Sequence, residues 1–231
     1  GVAQDDNPAN DMIQKTIGIP TQTMQRRPLF EEFTSSTCAP CASFNNSVFN
    51  PFIANNGENI GLIKYQMNWP GSGDIYYTAE GGTRASYYGV SAVPDMYTQG
   101  TTLTNWSAAG LTAALNTAVA TPAFFSMSTV PSYSGNNVFI PVIVNPYVGG
   151  NFTLHTVVVE KTTTGNVGSN GETAFKNVMM KMFPNGAGLI VPFASGTGYY
   201  TSYTQDLSTT NVEEMSDLQA VIFIQDNATR N

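Results

Sequence analysis

The feature that most constrains this chain is Cys38-Ala39-Pro40-Cys41, because its two cysteines are the whole cysteine complement. A structural disulfide framework needs more pairs at wider spacing. A zinc site needs four ligands, and one CxxC with a single distant histidine, His155, does not supply them. The pair therefore reads as a dithiol or a small-loop disulfide. Its surroundings give the order strand, short loop, CxxC, helix. Leu29-Phe30-Glu31-Glu32-Phe33-Thr34 is a strand-length run, Ser35-Ser36-Thr37 a loop, and residues 42–52 carry Phe44, Val48 and Phe52 at helical spacing. A cysteine at a helix N-terminus faces the positive end of the helix dipole and unpaired backbone N–H groups, which favour thiolate over thiol. Cys38 is thus expected as the exposed nucleophile and Cys41 as the buried resolving thiol. Pro40 falls in the first turn, where its missing N–H costs little.

Two more residues fit the same chemistry. Glu32 lies six residues before Cys38 on the preceding strand, and shares a face with Phe30. Buried there, its pKa raised by desolvation, it is placed to accept the Cys41 proton during exchange. Downstream, Val93-Pro94 opens an extended stretch. A cis proline at that point would lie beside the sulfurs and offer backbone to a substrate chain.

The rest of the first half alternates between strand and helix patterns. Residues 60–67 read as a strand, Asn68-Trp69-Pro70-Gly71 as a turn and residues 78–88 as a helix ending at Gly89. Residues 105–120 read as a helix capped by Asn105, with Leu111, Leu115 and Val119 at four-residue steps. Beyond Thr121-Pro122 almost everything reads as short strands: 123–130, 137–144, 152–160, 177–182, 202–207 and 219–225, separated by Gly, Asn and Pro. Residues 1–27 are polar, with Pro8 and Pro20, and read as a tail or edge segment. The expected architecture is an α/β domain over 28–121 followed by an all-β antiparallel, sandwich-like domain over 122–231. The connector Ala120-Thr121-Pro122-Ala123 is too short for independent motion, so the two are expected to pack together.

Composition narrows the function classes. The net charge is −7 and only nine residues are basic, which removes nucleic acid as a partner. Charged residues make up 11%, well below the usual quarter or so, as in many exported β-rich proteins. The opening Gly1 and the polar Gln4-Asp5-Asp6-Asn7 read as a chain starting after a removed leader or lipid anchor. No cofactor or metal is expected. Gly81-Gly82 and Gly186-Ala187-Gly188 lack the Lys-Ser/Thr of a phosphate loop, and Asp5-Asp6-Asn7 lacks calcium-loop spacing. His155 reads as a surface or interface residue. Asp74 and Glu80, flanking Tyr76-Tyr77, read as a solvated loop near the cysteines.

Glu32, Cys38, Cys41 and Pro94 resemble the buried acid, the nucleophilic and resolving cysteines and the cis-proline of the thioredoxin superfamily. More narrowly, the stretch from Phe30 to Cys41, Asn68-Trp69-Pro70-Gly71, Tyr87 to Pro94, Val157-Val158-Val159-Glu160 and Ile224-Gln225-Asp226-Asn227 look like the Omp28-related proteins of Bacteroidetes. That resemblance covers residues 28–231. It implies a thioredoxin-like domain fused to a β domain, in a protein of the periplasm, the outer membrane or the extracellular space. Thr37 departs from it, since thioredoxins carry Trp before the first cysteine. The implied function is a thiol–disulfide oxidoreductase or redox partner acting on protein thiols or disulfides, or served by an electron-donor protein. The alternative is a surface binding or assembly module with the disulfide as scaffold.

Overall fold

The computed structural model describes residues 18–230, so the polar opening of the chain, Pro8 included, lies outside the described residues. The first half begins with β1 (Met24–Gln25) and β2 (Leu29–Thr34), the latter buried on both faces. The CxxC starts α1 (Ala39–Phe44), which runs through a π-helical stretch, Asn45–Phe49, into α2 (Asn50–Asn56). Pro51 accounts for the irregularity: it has no N–H for the carbonyl one turn back, and its ring crowds that turn. Then come β3 (Gly61–Gln66), α3 (Ala79–Tyr88), β4 (Asp95–Thr98), β5 (Thr101–Thr102) and α4 (Ala108–Ala120). Gly89, with φ 74°, closes α3 in the left-handed region that a residue without Cβ adopts cheaply. The cap of α4 is Ser107, whose Oγ accepts from Gly110 N at 3.1 Å. Asn105, the expected cap, instead accepts from Ser107 N.

The second half is strands: β6 (Pro122–Ala123), β7 (Phe125–Ser128), β8 (Ser132–Ser134), β9 (Asn137–Pro146), β10 (Gly150–Thr163), β11 (Phe175–Phe183), β12 (Leu189–Phe193), β13 (Tyr199–Asp206) and β14 (Leu218–Gln225). Their pairing overturns the expected fold class. Strands from both halves form one eight-stranded mixed sheet, in the order β12-β10-β11-β3-β2-β4-β5, with β14 also paired to β10. Across the middle, β11 lies parallel to β3, Val178 opposite Lys64, and β3 lies parallel to β2. A four-stranded sheet, β13-β9-β7 with β8 on β9, packs on the second-half portion. The described residues are therefore mostly β with three α-helical rods, not an α/β thioredoxin-like domain followed by a separate sandwich. The reason lies in β11. Val178 and Met180 are buried towards one layer and Met179 and Met182 towards the other. Covered on both faces, β11 serves as an interior strand with a neighbour on each edge, β10 on one and β3 on the other.

The apolar clusters show which layer covers which strand. Phe30, Leu62 and Met96 of the large sheet meet Phe44, Phe49, Phe52 and Leu111 from the first helical rod and α4. On the opposite face Phe33, Tyr65, Val157 and Met179 meet Ala85 and Tyr88 of α3. The alternating inner residues of β9, Val138, Ile140, Val142 and Val144, pack on Leu154, Val158, Val178 and Met180. Each fully buried side chain of this kind contributes about 1.5–3 kcal/mol. Because Lys64 and Val178 are register partners, the small sheet and the first helical rod cover the same face of the large sheet. That adjacency brings a second-half loop to the cysteines.

Candidate functional site: a capped and covered disulfide

Cys38 is the N-cap residue of α1, with extended φ −103° and ψ 103°. Its Sγ accepts from Cys41 N at 3.1 Å and is bonded to Cys41 Sγ. Cys38 N donates to Ser35 O and Ala42 N to Cys38 O, so the loop enters the helix with its backbone groups paired. The Val93–Pro94 bond is cis, as expected, and Val93 O lies 3.4 Å from Cys38 Sγ. A disulfide sulfur carries no hydrogen, so this is a contact in the oxidised form and an acceptor for a thiol in the reduced form.

Cys41 is buried, as expected. Cys38 is not the open nucleophile the sequence suggested: it is 1% exposed. Loops distant in sequence are bonded to the residues around it. Thr37 Oγ1 donates to Pro70 O at 2.7 Å, and Ser36 N to Asp74 Oδ2 at 3.0 Å. Asp74, read from sequence as solvated, is a buried strut of this site. From the β10–β11 connection, Asn166 donates to the same Asp74 oxygen at 3.1 Å. Asn170 N donates to Ser36 O, and Asn170 Nδ2 to Ser35 O and Cys38 O. Glu80 lies apart from these contacts, paired with Lys181.

Glu32 is fully buried, and its partner is a lysine rather than a sulfur. Lys64 Nζ stands 2.9 Å from Glu32 Oε2 and donates to Asn45 Oδ1 at 2.7 Å, while Glu32 Oε1 has no donor. No hydrogen bond joins Glu32 to Cys38 or Cys41. Burial pushes the Glu32 carboxyl up, Lys64 pulls it back, and the nearby Glu172 charge pushes it further up. Glu172 is buried in the β10–β11 connection, its Oε2 accepting from Asn170 Nδ2 at 2.7 Å. Burial raises it as well, against the Asn170 hydrogen bond and Lys64. Cys41 and Asn45 are four apart on one helical rod, so the buried sulfur and the amide that holds Lys64 share a face.

The opposite face of β2 carries a second polar cluster. Glu31 accepts from Arg84 and Tyr65, each at 2.8 Å, and from Tyr88 at 2.6 Å, and Arg84 also donates to Gln225. His155, expected at a surface or interface, is 1% exposed and stacked on Phe223, with neither ring nitrogen hydrogen-bonded. Burial, and secondarily Arg84, hold its pKa well below the usual histidine value.

Sequence reasoning missed Lys64, Asn45, Asn170, Glu172 and Arg84. Lys64 left a signal, a lone cation inside the apolar run Gly61-Leu62-Ile63-Lys64-Tyr65; a buried strand holds a charge only opposite another. Asn170 and Glu172 left none, because a polar loop looks alike whether it faces water or a neighbouring loop. Among the described residues there is no group of three or more His, Cys, Asp or Glu able to hold a metal ion, and no helix long and apolar enough to cross a membrane.

Comparison with known proteins bears on the fold alone. No protein-family profile and no curated protein matches the chain. Among solved structures it is similar to Protein AGR_C_4864 from Agrobacterium tumefaciens. The likeness covers 86% of this chain and 94% of that one, at 14% identity and a TM-score of 0.52.

Proposed function

We propose that the protein exchanges disulfides with a partner dithiol through Cys38 and Cys41. The observation that carries this reading is the cap, with Cys38 Sγ held 3.1 Å from Cys41 N at the start of α1. A thiolate at Cys38 would keep that N–H donor and the positive end of the helix dipole, which makes it the better stabilised of the two sulfurs. In the reductive direction a partner thiolate attacks Cys38 Sγ, the Cys38–Cys41 bond breaks, and its electron pair leaves on Cys41, which takes up a proton. The partner's second thiolate then attacks the partner sulfur of the mixed disulfide and releases Cys38 as thiolate. Two electrons pass from the partner dithiol to the pair, and the reverse sequence oxidises a partner. An oxidising compartment suits a chain whose two cysteines are bonded to each other, and the resemblance to exported Omp28-related proteins agrees with it.

A second reading, a disulfide clip in a binding or assembly module, is favoured by burial: Cys38 is 1% and Cys41 0% exposed. An attacking thiolate needs a clear path to the sulfur, so exchange requires the covering loops to yield. The reduction potential of the pair separates the readings. A value between roughly −270 and −120 mV supports exchange, and one below about −300 mV supports the clip and overturns exchange.

A further inference from the structure

We infer that Asn170, delivered from the second half of the chain, is the positioning residue of the cysteine loop: it grips the carbonyls of Ser35, Ser36 and Cys38, and in doing so fixes the sulfur at the cap and covers it. The purpose of such a grip rests on the exchange reading; its geometry does not.

Ser35 O already accepts from Cys38 N, and Cys38 O from Ala42 N. Asn170 Nδ2 adds a donor to each, at 3.1 Å and 3.4 Å, against the remaining lone pair of each carbonyl. Its two hydrogens serve these carbonyls and Glu172 Oε2, so one hydrogen is shared and the 3.4 Å contact to Cys38 O is the weakest of the three. Asn170 N donates to the intervening Ser36 O at 3.0 Å. One residue thereby bonds three of the four carbonyls from Ser35 to Cys38 in the loop that presents the sulfur. The side chain is itself locked, since Oδ1 accepts from Glu172 N at 2.9 Å and Nδ2 donates to Glu172 Oε2 at 2.7 Å. Chemistry fixes its orientation. Turned over, the amide oxygen would face two carbonyls and a carboxylate, all acceptors. Two residues earlier, Gly168 allows the approach: a Cβ there would stand 2.4 Å from Ser36 O. The grip also adjoins the buried ion pair, because Lys64 draws the Glu172 carboxyl down and the Glu172 charge pushes the Glu32 carboxyl up.

Two consequences separate this role from packing. With the grip in place, a reagent reaches Cys38 Sγ only when the β10–β11 connection moves away. In the reduced protein, the grip keeps the Cys38 thiolate against Cys41 N–H; without it the loop turns, the donor is lost, and the thiolate becomes harder to form.

The test uses the full chain with Asn170→Ala and reads two quantities. The first is the rate at which tris(2-carboxyethyl)phosphine reduces the disulfide, expected to rise by about tenfold or more as access opens. The second is the titration midpoint of the Cys38 thiolate, followed by its ultraviolet absorbance in a Cys41→Ser background, expected to move up. An unmoved midpoint, or an unmoved phosphine rate, in a folded variant overturns the proposal, whatever happens to Tm. Should Asn170→Ala fail to fold, Asn170→Ser, which keeps a hydroxyl donor, replaces it with the same two readouts. Neither readout involves a protein partner. A potential below about −300 mV would therefore sink the exchange reading while leaving this result intact.

Discussion

Glu31 and Glu32 are neighbours in sequence and are buried on opposite faces of β2, each answered by one cation: Arg84 for Glu31 at 2.8 Å and Lys64 for Glu32 at 2.9 Å. A strand sends successive side chains to opposite faces, and both faces of β2 are covered, so neither carboxylate reaches water. The two answers differ in completeness. Glu31 has three donors, from Arg84, Tyr65 and Tyr88. Glu32 has the lysine and an oxygen with no donor at all. The incompletely satisfied carboxylate is the one on the face that carries Cys41 and Asn45.

Removing Lys64 therefore leaves a buried charge unanswered. Lys64→Met is expected to cost about 3–5 kcal/mol at neutral pH, read from urea unfolding. The double change Lys64→Met with Glu32→Leu should recover most of that, because an apolar pair of similar volume replaces an ion pair at little net cost. The pH dependence has a definite sign. Burial raises Glu32 in the folded state, so the cost of its charge is present above the folded pKa and fades as pH falls through it. A Lys64→Met variant as stable as wild type at neutral pH would show that Glu32 is not ionised there.

His155 gives the opposite sign. Its folded pKa lies well below the unfolded value of about 6.5, so below that value the unfolded chain binds a proton that the folded chain refuses. Stability should fall as pH drops below about 6.5, by at most ~1.4 kcal/mol per pH unit from this group. The raised carboxylates Glu32, Glu160 and Glu172 push the other way, so the histidine is isolated by difference. His155→Phe, stacked in the same place on Phe223, should lose that acid-side slope. An unchanged slope in the variant would assign it elsewhere.

The sequence made the neighbourhood of the cysteines legible because every part of it is local. The strand before the pair, the helix after it, the cap at Cys38 and the end of α3 at Gly89 each depend on residues within a few positions. Pairing between strands is not local. Residues 175–183 show an apolar strand-length run, and nothing in that run names β3 as the neighbour that joins the two halves into one sheet. The exposure of Cys38 failed for the same reason. The three residues before it look solvated until Pro70, Asp74 and Asn170 are brought to them. Glu32 was placed correctly on a buried face, but its partner sits on a different strand and could be inferred only from the oddity of a lysine among apolar neighbours.

The disulfide itself is expected to matter little for global stability. Its cysteines are separated by 3 positions, and closing so small a loop contributes about 2 kcal/mol through chain entropy. The double change Cys38→Ser with Cys41→Ser should therefore stay folded, with unfolding free energy lowered by roughly that amount. A loss nearer 5 kcal/mol, or failure to fold, would favour a structural clip over an exchangeable pair.

Gly168 offers a test of the covering loop that leaves every polar group of the site in place. A Cβ on this residue would stand 2.4 Å from Ser36 O and 2.7 Å from Ser36 C, both backbone atoms that a rotamer change does not move. Gly168→Ala must therefore displace the β10–β11 connection from the cysteine loop, or the cysteine loop from α1. Overpacking of this kind costs about 1–3 kcal/mol, and the cost should appear in urea unfolding. The hydrogen bonds from Asn170 to Ser35, Ser36 and Cys38 lengthen with the displacement, so reduction of the disulfide by a phosphine should also accelerate. Gly171 provides the control: with φ 90° and open space around it, Gly171→Ala strains the backbone without meeting the cysteine loop. Destabilisation in both variants with faster reduction only in Gly168→Ala assigns the protection of Cys38 to this contact. Equal acceleration in both would trace it to general loosening of the loop.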